Sequence, residues 1–181
     1  MKRFTLAVCF FLFLFLFAAC ERPDYKYEIW EMYINAKRDS TSGAVIDGNM
    51  WSAISMEHLD WEEAVAYCRN LKELEHSDWR LPTVNELRTL IQNCPGAEAG
   101  GFCNMTEECL EEEMSYIKCY DDYCSCGYNE EEGYYSKLGD DFCLWSSTAT
   151  RISDYAVNVC FGQVDILTQS KSYNRYVRCI R

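Results

Sequence analysis

Ten cysteines fall between Cys68 and Cys179, and seven of them crowd into the stretch from Cys94 to Cys143. An even count at that density limits the fold more than any other feature of the chain. As pairs they form disulfides, which persist only in an oxidising compartment. As free thiolates they would be metal ligands. Zinc sites space their cysteines regularly, commonly two residues apart, and often recruit histidine. "CSC" at Cys124 to Cys126 has the wrong spacing, no CxxC occurs, and the only histidines are His58 and His76. Disulfides in an exported protein are the expectation.

The N-terminus agrees with export. Lys2 and Arg3 precede an almost unbroken apolar run from Leu6 to Ala19. That is the layout of a secretory signal, too short for a membrane-spanning helix with ordinary flanks. The run closes on "FAAC", Phe17 to Cys20, which resembles the lipobox of bacterial lipoproteins. In that family the cysteine is lipidated and becomes the new N-terminus, so the resemblance predicts Cys20 as the lipidation site and the membrane as a partner. Phe17 stands where the box usually has leucine. The alternative is an ordinary cleaved signal that leaves Cys20 as a stray thiol. Glu21 after the cysteine, rather than aspartate, implies outer-membrane placement in a double-membraned cell. The expected organisation is a signal peptide at 1–19, a lipidated Cys20 with a polar tether over 20–43, and one domain over 44–181. Within that domain, 94–143 is a cysteine-rich acidic insertion.

Charge narrows the partners. The formal net charge is -12, and removal of Lys2 and Arg3 with the signal takes it to about -14. Nucleic acid, or any polyanion held by charge alone, is thereby disfavoured. Ten carboxylates lie between Glu107 and Glu132 against a single lysine, Lys118. Calcium favours such oxygen clusters, so Ca2+ is the one cofactor the sequence puts forward, with Glu111, Glu112 and Glu113 as its candidate ligands. No EF-hand pattern appears, and runs of charge are usually solvated surface.

Periodicity supplies the elements. "LDWEEAVAYCRNLKEL" sets Trp61, Ala64, Val65, Cys68 and Leu71 on one helical face. Asp60 and Glu63 have capping-box spacing, which starts that helix at Trp61. Thr83 and Glu86 repeat the spacing and open a second helix with the stripe Leu87, Leu90, Ile91, running to Cys94-Pro95-Gly96. Pro82 disfavours helix at Leu81 and separates the two. Beyond the insertion the period becomes two: "LWSST", "YAVNVCFGQVDIL" and "RYVRCI" read as strands, with "FGQ" as a hairpin turn.

Taken in order, WxxAxxYCxxL, "DWRLPTVNEL", "LWSST", a strand ending before Gly162 and a terminal "VRCIR" resemble one family. It is the Fibrobacter succinogenes major paralogous domain, found also as the C-terminal domain of the Legionella collagen-like adhesin. The resemblance runs from about Asp47 to Arg181, loosely across the insertion. It implies an α+β, C-type-lectin-like fold akin to the formylglycine-generating enzyme: two helices packed on a twisted, mostly antiparallel sheet, with a disulfide-rich loop insertion. In lectin-like domains the first long helix is tied to the last strand, which here implies a Cys68–Cys179 disulfide. Cys143 and Cys160 would join neighbouring strands, and the other six would pair within the insertion in one of fifteen ways. Trp79 is expected to pack under the sheet, with Arg80 held by a carboxylate such as Glu86 or by strand carbonyls; the functional alternative is that Trp79 or Arg80 touches a ligand.

Function is less legible. No motif places the redox cysteine pair of the formylglycine-generating relatives, no histidine-containing motif supports a nucleophilic triad, and no phosphate-cradling loop is present. A non-enzyme is the expectation. The tripeptides through which calcium-dependent lectins hold sugar are also missing, and "WSS" occupies the comparable tryptophan position. A binding or adhesion module for a protein or glycan remains, with Tyr134 and Tyr135 in "GYYSKLG" as candidate ligand-stacking residues; those rings would alternatively cover the insertion's small core. The alternatives are a structural envelope lipoprotein without a dedicated ligand and an enzyme of formylglycine-generating type.

Overall fold

The computed structural model describes residues 29, 31–33, 35–36, 41–112, 116–131 and 133–181. The chain divides into two units, Met1–Ala36 and Lys37–Arg181. In the first, the described residues are helical. The expected signal peptide and Cys20 lie outside the described residues. Among the described residues, no helix is long and apolar enough to cross a membrane.

The second unit is an α+β domain. It opens with a small hairpin, β1 (Ala44–Ile46) and β2 (Asn49–Trp51), joined by Asp47 and Gly48. Both turn residues have positive φ, 50° and 85°, the combination a two-residue hairpin requires and the reason glycine follows aspartate. The main helix, α1, spans Trp61–Asn70. Its capping box is formed as the spacing implies: the Asp60 carboxylate accepts from the Glu63 N–H at 2.8 Å, and the Glu63 carboxylate accepts from the Asp60 N–H at 3.1 Å.

The second helix, α2, is shorter than its apolar stripe suggests. It begins at the Thr83 cap but covers only Val84–Arg88. Beyond it, the Leu90 and Ile91 N–H groups donate to the Leu87 and Arg88 carbonyls, three residues back in a tighter turn. The backbone then turns outward to the insertion: Gln92 donates to the Tyr135 carbonyl, and the Leu90 carbonyl accepts from Lys137. Long-range backbone partners end the helix before Cys94.

The principal sheet has three antiparallel strands in the order β3 (Cys143–Ala149), β4 (Tyr155–Cys160), β5 (Asp165–Ser170). The β4–β5 hairpin turns over Phe161 to Val164. In the central β4, Ala156, Val157, Asn158 and Val159 are all buried, so both faces of the sheet are covered. On one face Ala64 and Cys68 from α1 meet Trp79, Leu81, Trp145, Val177 and Cys179 in a continuous cluster. Two indoles stitch helix to sheet, Trp61 Nε1 donating to the Ser146 carbonyl at 2.8 Å and Trp145 Nε1 to the Leu59 carbonyl at 3.0 Å.

"RYVRCI" is extended but is not a regular strand. Its backbone pairs piecemeal with Leu59, Trp51 and Arg80, and in parallel with Leu144. The ladder is interrupted by serines: the Ser55 hydroxyl accepts from the Val177 N–H and the Ser52 hydroxyl from the Cys179 N–H. Side-chain oxygens take the place of backbone carbonyls, so hydrogen bonds are satisfied without a continuous strand.

Candidate binding surface

Between α1 and the sheet lies the "DWRLPT" corner. Trp79 is 3% exposed and belongs to the core cluster. Its indole nitrogen is buried without a hydrogen-bond partner among the described residues. Arg80 stays half in solvent; its guanidinium donates twice to the Glu86 carboxylate, once at 2.7 Å. Burial pushes the Glu86 pKa upward, but hydrogen bonds from Arg80 and the Thr83 backbone outweigh it and hold the carboxyl below the usual glutamate range. Asp78 is paired with Arg181 at 2.8 Å, which depresses its pKa as well. Beside this corner an open, mostly apolar groove of about 370 Å³ runs past Val65, Trp79 and Leu81, with Arg69 and Arg80 at its margin.

The insertion is stapled separately from the frame. The frame carries Cys68–Cys179 and Cys143–Cys160; the insertion carries Cys94–Cys126, Cys103–Cys124 and Cys109–Cys119. Two buried arginines dock the insertion on the frame. Arg88 of α2 donates to the Ala97 and Glu98 carbonyls, both at 2.9 Å. Burial lowers its pKa, and the nearby carboxylates of Asp121 and Glu108 oppose that shift. Arg178, fully buried, grips Asp140 with two bonds of 2.8 Å and donates again to the Ser52 carbonyl and the Thr41 hydroxyl.

Sequence reasoning missed both arginines. The Arg178 partner lies 38 residues upstream, and nothing local in "VRCIR" points to it.

The expected site residues separate in space. Tyr134 is half-buried and Tyr135 only 6% exposed; their rings meet edge to face at 4.9 Å. The Gln92 and Asn93 side chains donate to the Tyr134 carbonyl, and the Tyr135 hydroxyl reaches the Cys126 carbonyl. Tyr135 thus covers the insertion's small core, and its ring is not free to stack on a ligand. Glu111 is exposed on a short helix, α3 (Glu107–Glu112), which a second short helix, α4 (Tyr116–Cys119), follows. The Glu112 side chain and Glu113 lie outside the described residues, so convergence of the three on a calcium ion is not described. The one described cluster with metal-ligand spacing is Cys103, Asp121 and Cys124, but the two sulfurs are bonded to each other. A disulfide offers no thiolate, so this cluster does not fit a metal.

Among the described residues, the exposed aromatic rings of the insertion are others: Phe102 at 76%, Tyr128 at 77%, Tyr123 at 58% and Tyr120 at 40%. Phe102 and Tyr123 form a tilted pair with ring centroids 5.6 Å apart. Each immediately precedes a cysteine of the same disulfide, Cys103–Cys124. Asp121 reinforces the pairing by accepting from the Asn104 N–H at 3.2 Å and the Tyr123 N–H at 3.0 Å. Gly96 lies beneath Tyr123, where a β-carbon would stand 2.9 Å from the Tyr123 carbonyl oxygen; glycine is required for that approach.

Comparison with curated proteins and with solved structures gave no match to the chain. A family model does match, described as the Lcl C-terminal domain and covering residues 38–181, which takes in the frame, the insertion and the terminal "VRCIR". With most of its length inside that match, the chain belongs to the Lcl C-terminal domain family, a family of adhesin-like modules.

Proposed function

We propose that the protein is a lipid-anchored, extracytoplasmic binding or adhesion module without catalytic activity, held at the membrane through Cys20 and meeting its partner through its acidic insertion. One observation carries this reading. The insertion has its own three disulfides and, among its described residues, exposes four aromatic rings that the core does not use. Ordering a loop region at that covalent density while leaving large rings in water serves recognition better than it serves stability. The family supports an adhesin-like role, and the lipobox-like "FAAC" supports the anchor. The partner class is a protein or glycan surface, and the location a bacterial envelope, with the outer membrane implied by Glu21.

The test has two arms. Fatty-acid labelling of the full chain should mark the wild type and fail on Cys20→Ser; equal label on both removes the anchor. Cells expressing the full chain should be retained on immobilised extracellular proteins or glycans more strongly than cells without it. Equal retention across the whole panel favours the structural-lipoprotein alternative.

The "DWRLPT" groove supports a second reading, because the buried Trp79 indole N–H lacks a partner among the described residues and sits beside an open apolar channel. In that reading a ligand would bind the frame, and Trp79→Ala would abolish binding in a protein that still folds.

A further inference from the structure

We infer that the Phe102–Tyr123 pair is a seat for cationic side chains, arginine above all, on a basic segment of a partner protein. This inference rests on the binding-module reading and adds the chemistry of the partner. The two rings touch one another yet remain 76% and 58% exposed. Isolated surface aromatics need no explanation, whereas a pair fixed by an adjacent disulfide, an aspartate clamp and a glycine cut-out is a preorganised surface. Little conformational entropy is lost when a partner settles on it.

Charge selects the occupant. From Cys94 to Ser136 Lys118 is the sole basic residue, against Glu98 and the ten carboxylates of the acidic runs. The arginine beneath this region, Arg88, is buried and turned to backbone carbonyls. Asp122, adjacent to Tyr123, is exposed. Aromatic faces are electron-rich and attract a guanidinium, which also stacks flat on them and is less strongly hydrated than an ammonium. Neighbouring carboxylates strengthen that preference and repel acidic partners.

The experiment is titration calorimetry on the full chain in non-ionic detergent, with short synthetic peptides alternating glycine with arginine, serine or glutamate. The arginine peptide should bind, and bind more weakly as salt is raised; the serine and glutamate peptides should not bind. Phe102→Ala with Tyr123→Ala should weaken the arginine peptide by about tenfold or more. Leucine at both positions keeps apolar bulk without the aromatic face and should weaken it equally. Since both side chains are exposed, either double variant should unfold within a few degrees of the wild type. Failure of the arginine peptide to bind, undiminished binding by the leucine variant, equal binding of the glutamate peptide, or a neutral oligosaccharide that occupies the pair in its place would each overturn the inference. Adhesion that survives in the double variants would overturn it while leaving the binding-module reading standing; loss of adhesion by the wild type itself would remove that reading.

Discussion

A single ion pair shows what the sequence hides at the scale of residues. Arg178 and Asp140 have no exposed side-chain surface, and between them they join the C-terminal segment to the end of the insertion. Breaking a buried pair by removing one partner leaves a charge without compensation, typically about 3–5 kcal/mol of destabilisation. Asp140→Asn should therefore lower stability in denaturant unfolding far more than Asp78→Asn, whose pair with Arg181 lies largely in solvent. Equal effects would mean that Arg178 finds other acceptors. Trp79→Ala should cost about 3–5 kcal/mol as a core truncation. Tyr135→Ala should also destabilise, through loss of a buried ring, while Phe102→Ala should not. Legibility at this scale followed sequence distance. Glu86 was readable as the partner of Arg80 because it stands six residues away with a helix cap between them. The partners of Arg88 and Arg178 come from segments that meet only in the folded domain. The tyrosines "GYY" carried an aromatic signal without its direction, and burial of Tyr135 is set by Cys126 and by the end of α2.

Among the elements, α1 and α2 show which features are local. Both begin where their capping boxes place them, since a cap needs only four consecutive residues. The length of α2 was not readable, because it is ended by backbone bonds to Tyr135 and Lys137, over forty residues on. For the same reason "RYVRCI" kept its extended conformation but lost its regular ladder to the hydroxyls of Ser52 and Ser55. The α2 cap also sets a pH dependence. Glu86 has a folded pKa below its ordinary value, so it binds fewer protons folded than unfolded at mildly acid pH. Its contribution is present above the ordinary glutamate pKa and is lost as pH falls through the depressed one. Thermal unfolding of wild type and Glu86→Gln should differ most near neutrality and converge in acid. A difference that widens in acid would contradict the ion-paired cap.

At the scale of the whole molecule the disulfides divide labour. Cys68–Cys179 closes a separation of 111 residues around the core cluster, and chain-entropy reasoning gives it about 4–5 kcal/mol. Cys109–Cys119 closes a separation of 10 residues within the insertion and constrains much less of the unfolded chain. Replacing Cys68 and Cys179 together with alanine should lower the unfolding midpoint by on the order of 10 °C, and replacing Cys109 and Cys119 by clearly less. The reverse order would place the stability of the domain in the insertion. The division also explains what could be read without coordinates. The frame's residues repeat a pattern of helix, corner and strand that the family resemblance captures, whereas the insertion's connectivity is one of fifteen and its exposed face depends on which one forms.

If the frame holds the domain together and the insertion meets the partner, the two properties can be separated in one comparison. Cells displaying the full chain should be washed over an immobilised panel of extracellular proteins and glycans beside cells displaying a Phe102→Ala, Tyr123→Ala, Tyr128→Ala variant at matched surface level and matched thermal midpoint. Retention that is strong for the wild type and lost in the folded variant is the expected result. Equal retention of the two would contradict it, and would move the binding surface away from the insertion.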